Sequence, residues 1–440
     1  MKEMGVIGRW ALILLLLGNV YGGFAQDANT ARAQHIYELF VAGLQKKLAP
    51  ALFNDSFRQA EKMFGKSISK GEWKTDSAQG ITIYYSDVEF ERYNLRFLVA
   101  FDADGALNTI RLVPAPAVST AQPVAYDKTK MDERDITLGA DGYKLPGTLT
   151  LPKRAVGPDA CRVPCVILVH GSGPHDRDET IGPNKPFRDL AWGLAKRGIA
   201  VVRYEKRTKA YGAACVPAGR ELDYDTEAVD DAVAIVEQVR ALPELAPDSV
   251  YVLGHSLGGT LAPRIAGRSK GLAGIIILAG LARSLEDALE EQFYYTSSLT
   301  DSSVNVKVQL DELKQQLANV KKLGTEEFDE TISLPLGQPR SYWLFANAYK
   351  PVEVAAKLKL PIFVLQGERD YQVTMEDFGL WRSGLLRCKN AYFKSYPKLN
   401  HLLQEGSGKA TPFEYSHASP VPAYVMDDIA SFVRGKQNTL

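Results

Sequence analysis

The residues Gly254-His255-Ser256-Leu257-Gly258 place a hydroxyl where it could act as a nucleophile. The run Val250 to Leu253 is apolar and rich in β-formers, so it reads as a buried parallel strand, and a helical pattern begins near Leu257. Gly-x-Ser-x-Gly at a strand-to-helix junction is a nucleophile elbow, a sharp turn that needs small residues two before and two after the serine. Gly254 and Gly258 meet that need, and the flanking elements argue against a chance match in a glycine-rich loop.

A serine hydroxyl attacks only when a base takes its proton, and the base needs an acid to fix its tautomer. On a strand-elbow-helix scaffold the chain order is Ser, then Asp or Glu, then His. The apolar run Ile362 to Gln366 ends in Gly367-Glu368-Arg369-Asp370, which puts Asp370 in the loop after a strand, with Glu368 and Asp377 as alternatives. After the last strand, Ala391 to Tyr396, only His401 and His417 remain. His401 follows by one short loop and is the expected base, while His417 lies in a Pro-rich stretch and reads as a surface residue. His255 reads as packing. Acyl transfer also needs donors for an oxyanion. The backbone N–H of Leu257 is one, and His170-Gly171-Ser172-Gly173-Pro174, after the strand Val163 to Val169, offers the second at Ser172, with Gly171 the runner-up. The same glycines lack the spacing of a dinucleotide fingerprint and the lysine of a phosphate loop.

The elements that must position these groups alternate along the chain. Arg134 to Leu138 and Gly147 to Leu151 read as an antiparallel opening pair. Val163 to Val169, Ile199 to Tyr204, the elbow strand, Ile275 to Ala279, Ile362 to Gln366 and Ala391 to Tyr396 then alternate with helices such as Phe187 to Arg197 and Thr226 to Leu242, and a helix near Ala423 to Val433 closes the chain. The pattern predicts an α/β fold with a mostly parallel sheet of about eight strands over residues 127–440. Residues 281–360 interrupt it with helical patterns and read as a cap shaping a pocket. Upstream, residues 26–113 show two helical patterns, including Phe57, Ala60, Met63 and Phe64, followed by period-two runs with a hairpin turn at Asp104-Gly105. They predict a small α+β domain, joined through a Pro- and Ala-rich linker over residues 114–126.

Lys+Arg and Asp+Glu both number 52, so no global field favours nucleic acid or an anionic membrane surface. Residues 1–25 pair Lys2 and Arg9 with the apolar run Trp10 to Leu17 and then Gly23-Phe24-Ala25, the order of a cleaved export signal. The apolar run is too short for a stable membrane anchor. Export, to a periplasm or the exterior, permits disulfides among Cys161, Cys165, Cys215 and Cys388, but the sequence does not choose a pairing. No Cys-x-x-Cys or His-x-x-x-His spacing suggests a metal.

His170-Gly171-Ser172-Gly173-Pro174-His175-Asp176-Arg177-Asp178-Glu179, Ile181-Gly182-Pro183-Asn184-Lys185-Pro186-Phe187, Arg203-Tyr204-Glu205-Lys206-Arg207 and the elbow together resemble exported bacterial α/β-hydrolase esterases. The resemblance runs from about Asp135 to the C-terminus. It implies an α/β-hydrolase fold, cleavage of small carboxylic esters with short acyl chains, no cofactor, and Ser256, Asp370 and His401 as the triad; Glu205 stands where such proteins often have Asp. A peptidase or amidase on the same scaffold, or a binding protein on a retired hydrolase fold, is the competing expectation. The charged residues 175–179 with Lys206-Arg207 could bind a polar substrate or frame the oxyanion loop. The oligomeric state and the role of the N-terminal domain stay open.

Overall fold

The structure, a computed structural model, describes residues 28–41, 61, 65–78, 81–91, 94–101, 107–115, 127–140, 142–158, 160–299 and 304–435. The segment 1–25, the Asp104-Gly105 turn, most of the helical pattern around Phe57 to Phe64 and most of the linker 114–126 lie outside the described residues. The chain divides into two compact units, residues 1–118 with 296–308, and residues 119–295 with 309–440.

In the first unit, helix α1 (Ala28–Val41) accompanies an antiparallel sheet of β1 (Ser67–Lys70), β2 (Lys74–Ala78), β3 (Ile81–Phe90), β4 (Asn94–Phe101) and β5 (Leu107–Pro114). The sheet order is β1-β3-β4-β5, and β2 also pairs with β3. Phe97, Val99 and Phe101 of β4 are buried, as are Ala33 and Ile36 of α1. Asp87 and Arg96 stand opposite each other across β3 and β4 and form an ion pair at 2.6 Å, with the guanidinium also lying over the Tyr85 ring. Cross-strand pairs of opposite charge favour one register over its neighbours.

The second unit holds, among the described residues, an eight-stranded sheet in the order β13-β12-β11-β10-β8-β9-β7-β6. Its strands are β6 (Met131–Leu138), β7 (Leu145–Pro152), β8 (Val163–Val169), β9 (Ala200–Tyr204), β10 (Leu245–His255), β11 (Gly274–Leu278), β12 (Ile362–Gly367) and β13 (Ala391–Tyr396). β7 pairs antiparallel with both β6 and β9, and the six strands β8 to β13 run parallel to one another. This is the α/β-hydrolase arrangement. Parallel strands buried on both faces read as near-continuous apolar runs, because neither face looks onto water. Val250, Val252, Ile275 and Ile277 pack in one layer with Ile235 and Leu261, while Tyr251, Leu253, Ile276 and Leu278 pack in the other with Leu190, Ile429 and Phe432.

The elbow strand β10 lies between β8 and β11, so its tip is flanked by the ends of both. Gly254 pairs with Val169, which places the loop after β8 beside the turn after β10. Between β11 and β12, the helices Leu285–Ser298, Val304–Val320, Arg340–Ala348 and Pro351–Ala355 occupy the interval that lacks strands. The stretch Thr226 to Leu242 begins with a π-helical turn over Asp225–Val229 before the α-helix Asp230–Arg240.

Ile276 is fully buried at the centre of the sheet. Truncating it should remove its packing and leave a cavity between strand and helices. Ile276→Ala is expected to cost about 2–5 kcal/mol, read as a fall of several degrees in the melting temperature by circular dichroism.

Candidate active site

Ser256 takes φ 54° and ψ −118°, a conformation non-glycine residues rarely adopt, and serves as N-cap of the helix Leu257–Arg268. The turn holds because backbone packs directly on backbone. A Cβ on Gly254 would stand 2.0 Å from the Gly258 carbonyl oxygen, and one on Gly258 would stand 2.2 Å from the Val169 oxygen. The Ser256 N–H donates to Leu278 O at 2.9 Å, tying the turn to β11. As the first helical residue, Leu257 has an N–H without an intrahelical acceptor, and that N–H stands next to the Ser256 side chain in the chain. The Gly171 loop packs on the other side: a Cβ there would lie 3.1 Å from Ser256 Cβ and 3.6 Å from its Oγ.

Asp370 and His401 meet at 2.6 Å through Oδ2 and Nδ1, both almost fully buried. The carboxylate also accepts the N–H groups of Gln372 and Val373 at 2.8 and 3.1 Å and the Gln366 amide at 3.2 Å. With its oxygens fixed as acceptors, Asp370 accepts a hydrogen bond from His401 Nδ1–H, which leaves Nε2 as the basic nitrogen. The other acids are engaged elsewhere. Glu368 accepts the Ser395 hydroxyl at 2.7 Å, and Asp377 accepts the Ala282 and Arg283 N–H groups at 2.9 and 3.2 Å. No hydrogen bond joins the Ser256 hydroxyl to His401 among the described residues. The His401 backbone is nevertheless bonded to the elbow, because its carbonyl oxygen lies 3.0 Å from His255 Nε2. His417 lies further on, its carbonyl accepting the Gln404 amide at 2.9 Å.

The reading of His255 as a packing residue misses its bonding. Its Nδ1 lies 2.8 Å from the buried Glu179 carboxylate, whose other oxygen accepts the Gly171 N–H at 2.7 Å. Burial alone would lower the His255 pKa, but the Glu179 charge and hydrogen bond raise it above the ordinary histidine value. Burial would raise Glu179, and the neighbouring His255, His175 and His170 instead hold it well below the usual carboxylate range. At the same glycine, Lys206 donates to the Gly171 carbonyl at 2.7 Å and pairs with Glu227 at 2.5 Å. His170 is pushed down to about 3 by burial, so its ring stays neutral at physiological pH.

The charged residues of 175–179 and 203–207 bond to one another and to their neighbours. Arg177 joins Glu205 at 2.9 Å and Asp135 at 3.0 Å, Arg203 bonds Asp178 and Glu133, and Arg207 grips Asp231 with two bonds at 2.6 and 2.7 Å. They frame the loop. The four cysteines are free thiols, and no group of acidic, histidine or cysteine side chains suited to a metal occurs among the described residues. No described helix is long and apolar enough to cross a membrane.

A strained serine on a glycine-clamped turn, a buried histidine-carboxylate pair and a parallel sheet with the elbow strand at its centre define the α/β-hydrolase class. The chain belongs to the family described as serine aminopeptidase, S33, whose model matches residues 163–405. It is 37% identical over 351 residues to Esterase EstD of Thermotoga maritima, covering 80% of this chain and 79% of that protein. It is also 27% identical over 197 residues to Putative esterase NocK of Nocardia uniformis, covering 42% and 55% respectively. Among solved structures, Est1E from Butyrivibrio proteoclasticus aligns with a TM-score of 0.44 at 16% identity, covering 70% of this chain and 99% of that one.

The close approach at the elbow predicts a contrast between two glycines of one helix. Gly258→Ala should lower ester turnover by at least about 100-fold, since a displaced elbow loses the aligned attack geometry. Gly267 has nothing within 4 Å of its Cβ position. Gly267→Ala should leave turnover unchanged and stabilise the helix by up to about 1 kcal/mol, read by thermal unfolding.

Proposed function

We propose that this protein is a serine esterase that cleaves short-chain carboxylic esters through an acyl-enzyme. The observation that carries the reading is the buried 2.6 Å contact of His401 with Asp370, on a loop bonded to the strained elbow of Ser256. Ser256 Oγ attacks the ester carbonyl carbon as His401 Nε2 takes the hydroxyl proton, and the Leu257 and Ser172 amides bind the oxyanion. The tetrahedral adduct collapses when the C–O bond to the alcohol breaks and His401 returns the proton to the departing oxygen. Water then attacks the acyl-Ser256 ester, gives its proton to His401, and the second collapse releases the acid and restores Ser256. Asp370 stays ionised throughout and stabilises the imidazolium. The similarity to Esterase EstD over most of both chains supports ester hydrolysis, and the resemblance of the Gly171 loop motif to exported esterases supports short acyl groups. The basic, apolar and small-residue order of residues 1–25 supports export of the enzyme.

The family description favours a second reading, an aminopeptidase. Such an enzyme needs an anionic group for the substrate's ammonium. Four acids around the Gly171 loop are paired internally, Glu179 with His255, Asp178 with Arg203 and Lys185, Glu227 with Lys206, and Asp231 with Arg207, and Asp176 accepts the Asp178 and Thr180 N–H groups. That pairing supports the ester reading.

On acetyl and butyryl esters, Ser256→Ala should lower kcat by about 10⁴- to 10⁶-fold with a KM change of a few-fold, and Asp370→Asn by about 10⁴-fold. Matching aminoacyl amides should turn over at least about 100-fold more slowly than the esters. Faster cleavage of the amides would establish the aminopeptidase reading instead.

A further inference from the structure

We propose that Glu179 and His255 form a buried ion pair whose role is to position the oxyanion loop and the base loop on the nucleophile elbow. Neither would touch substrate. Both are positioning residues, and the inference rests on the esterase reading of Ser256, His401 and the Gly171 loop.

Glu179 is 1% exposed, and it adopts φ 51°, a backbone conformation unusual for any residue but glycine. That backbone turns its side chain back under its own loop, where Oε1 accepts the Gly171 N–H at 2.7 Å and Oε2 meets His255 Nδ1 at 2.8 Å. His255 immediately precedes the nucleophile, and its other nitrogen lies 3.0 Å from the His401 carbonyl oxygen. One imidazole therefore links three segments that converge on the reaction: the loop after β8, the elbow after β10 and the loop after β13.

The hydrogen-bond roles follow from the partners. A carbonyl oxygen only accepts, so His255 Nε2 carries a proton. A single further proton lies between Nδ1 and Glu179. A carboxylic acid is more acidic than an imidazolium by about two pKa units, and the Gly171 N–H adds a donor to the carboxylate, so this proton resides on His255. The pair is an imidazolium against a carboxylate. Removing either charge would leave the other buried without its partner.

The consequence for the oxyanion loop is specific. Glu179 holds the Gly171 N–H, and Lys206 holds the Gly171 carbonyl. That carbonyl shares a planar trans peptide with the Ser172 N–H, so fixing one aims the other in the opposite direction, away from Lys206. A donor held in advance stabilises the oxyanion without reorganising.

The groups facing His255 are Glu179 and His175 from the loop after β8, Asp370 from the loop after β12, and His401. The raised pKa of His255 keeps the cation below that value and releases it as pH rises through it, so the pair is lost on the alkaline side. Glu179, held low, stays ionised to well below the ordinary carboxylate pKa. In Glu179→Gln the group that raises His255 is gone and burial lowers it, so its proton leaves at lower pH.

The experiment compares full-length wild type, Glu179→Gln, His255→Gln and Ser256→Ala on p-nitrophenyl acetate from pH 6 to 10. Rates of the wild type and the two pairing variants are normalised to active sites titrated with a fluorophosphonate, and that of Ser256→Ala to folded protein concentration. Each pairing variant should lose about 10- to 100-fold in kcat with KM within threefold. The alkaline limb of kcat should move to lower pH by about one unit or more in Glu179→Gln. A purely structural role would lower the titratable fraction and leave the rate per site and the pH profile unchanged, and that result would overturn the proposal. If Ser256→Ala retains turnover, the esterase reading itself fails; if it is inactive while both pairing variants match wild type, only the positioning role fails. Should the variants not fold, an ¹⁵N-histidine NMR titration of the wild type through and above the ordinary histidine pKa decides. Two protonated ring nitrogens on one buried histidine sustain the ion pair, and a neutral ring at every buried histidine rejects it.

Discussion

The close contact of backbone with backbone at the elbow is the constraint from which the site is built. Gly254 and Gly258 leave no side-chain volume between the end of β10, the first turn of its helix and the carbonyl of Val169, so the chain reverses within a few residues. Ser256 bears the positive φ that results, and its N–H is tied to Leu278. Local strain of this kind persists only where the surroundings over-determine it. Here they do so because β10 lies between β8 and β11, with buried apolar layers on both faces. The apolar core thereby specifies the position of a polar atom.

A second layer of order is made of buried charge. Removing ions from water is costly unless they are paired and hydrogen-bonded. Around the loop after β8 the pairing is extensive: Glu179 with His255, Lys206 with Glu227, Arg207 with Asp231, and Arg203 with Asp178 and Glu133. These pairs need not add net stability over an apolar core. Their directional bonds specify geometry, holding a loop of small residues that has little packing of its own. The glycine that lets the backbone approach Ser256 is the residue whose N–H and carbonyl are both held by charged side chains.

Much of this was legible from residue order. The parallel strands read as apolar runs because both faces of the sheet are buried, and β8 and β13 occupy the residues that their patterns predict. Asp370 and His401 were legible because each follows a strand at its carboxyl end, and the structure brings them together. The strands Ser67–Lys70 and Lys74–Ala78 were not, since their polar and small residues carry no alternation. The role of His255 was hidden for a different reason. Its partner Glu179 lies 76 residues away, and nothing in local spacing distinguishes a paired buried histidine from one that only fills space. The charged loops likewise resolve into a frame only once strands distant in sequence stand side by side.

Ester hydrolysis at this site requires Ser256 as the nucleophile and His401 as the base that activates it. Intact-mass and peptide-level mass spectrometry after treatment with a fluorophosphonate, for the wild type and for His401→Ala, reads both roles. One adduct per wild-type chain is expected, located on Ser256, with labelling slowed by orders of magnitude in the variant. An adduct on another residue, or equal labelling rates in the two proteins, would contradict these roles.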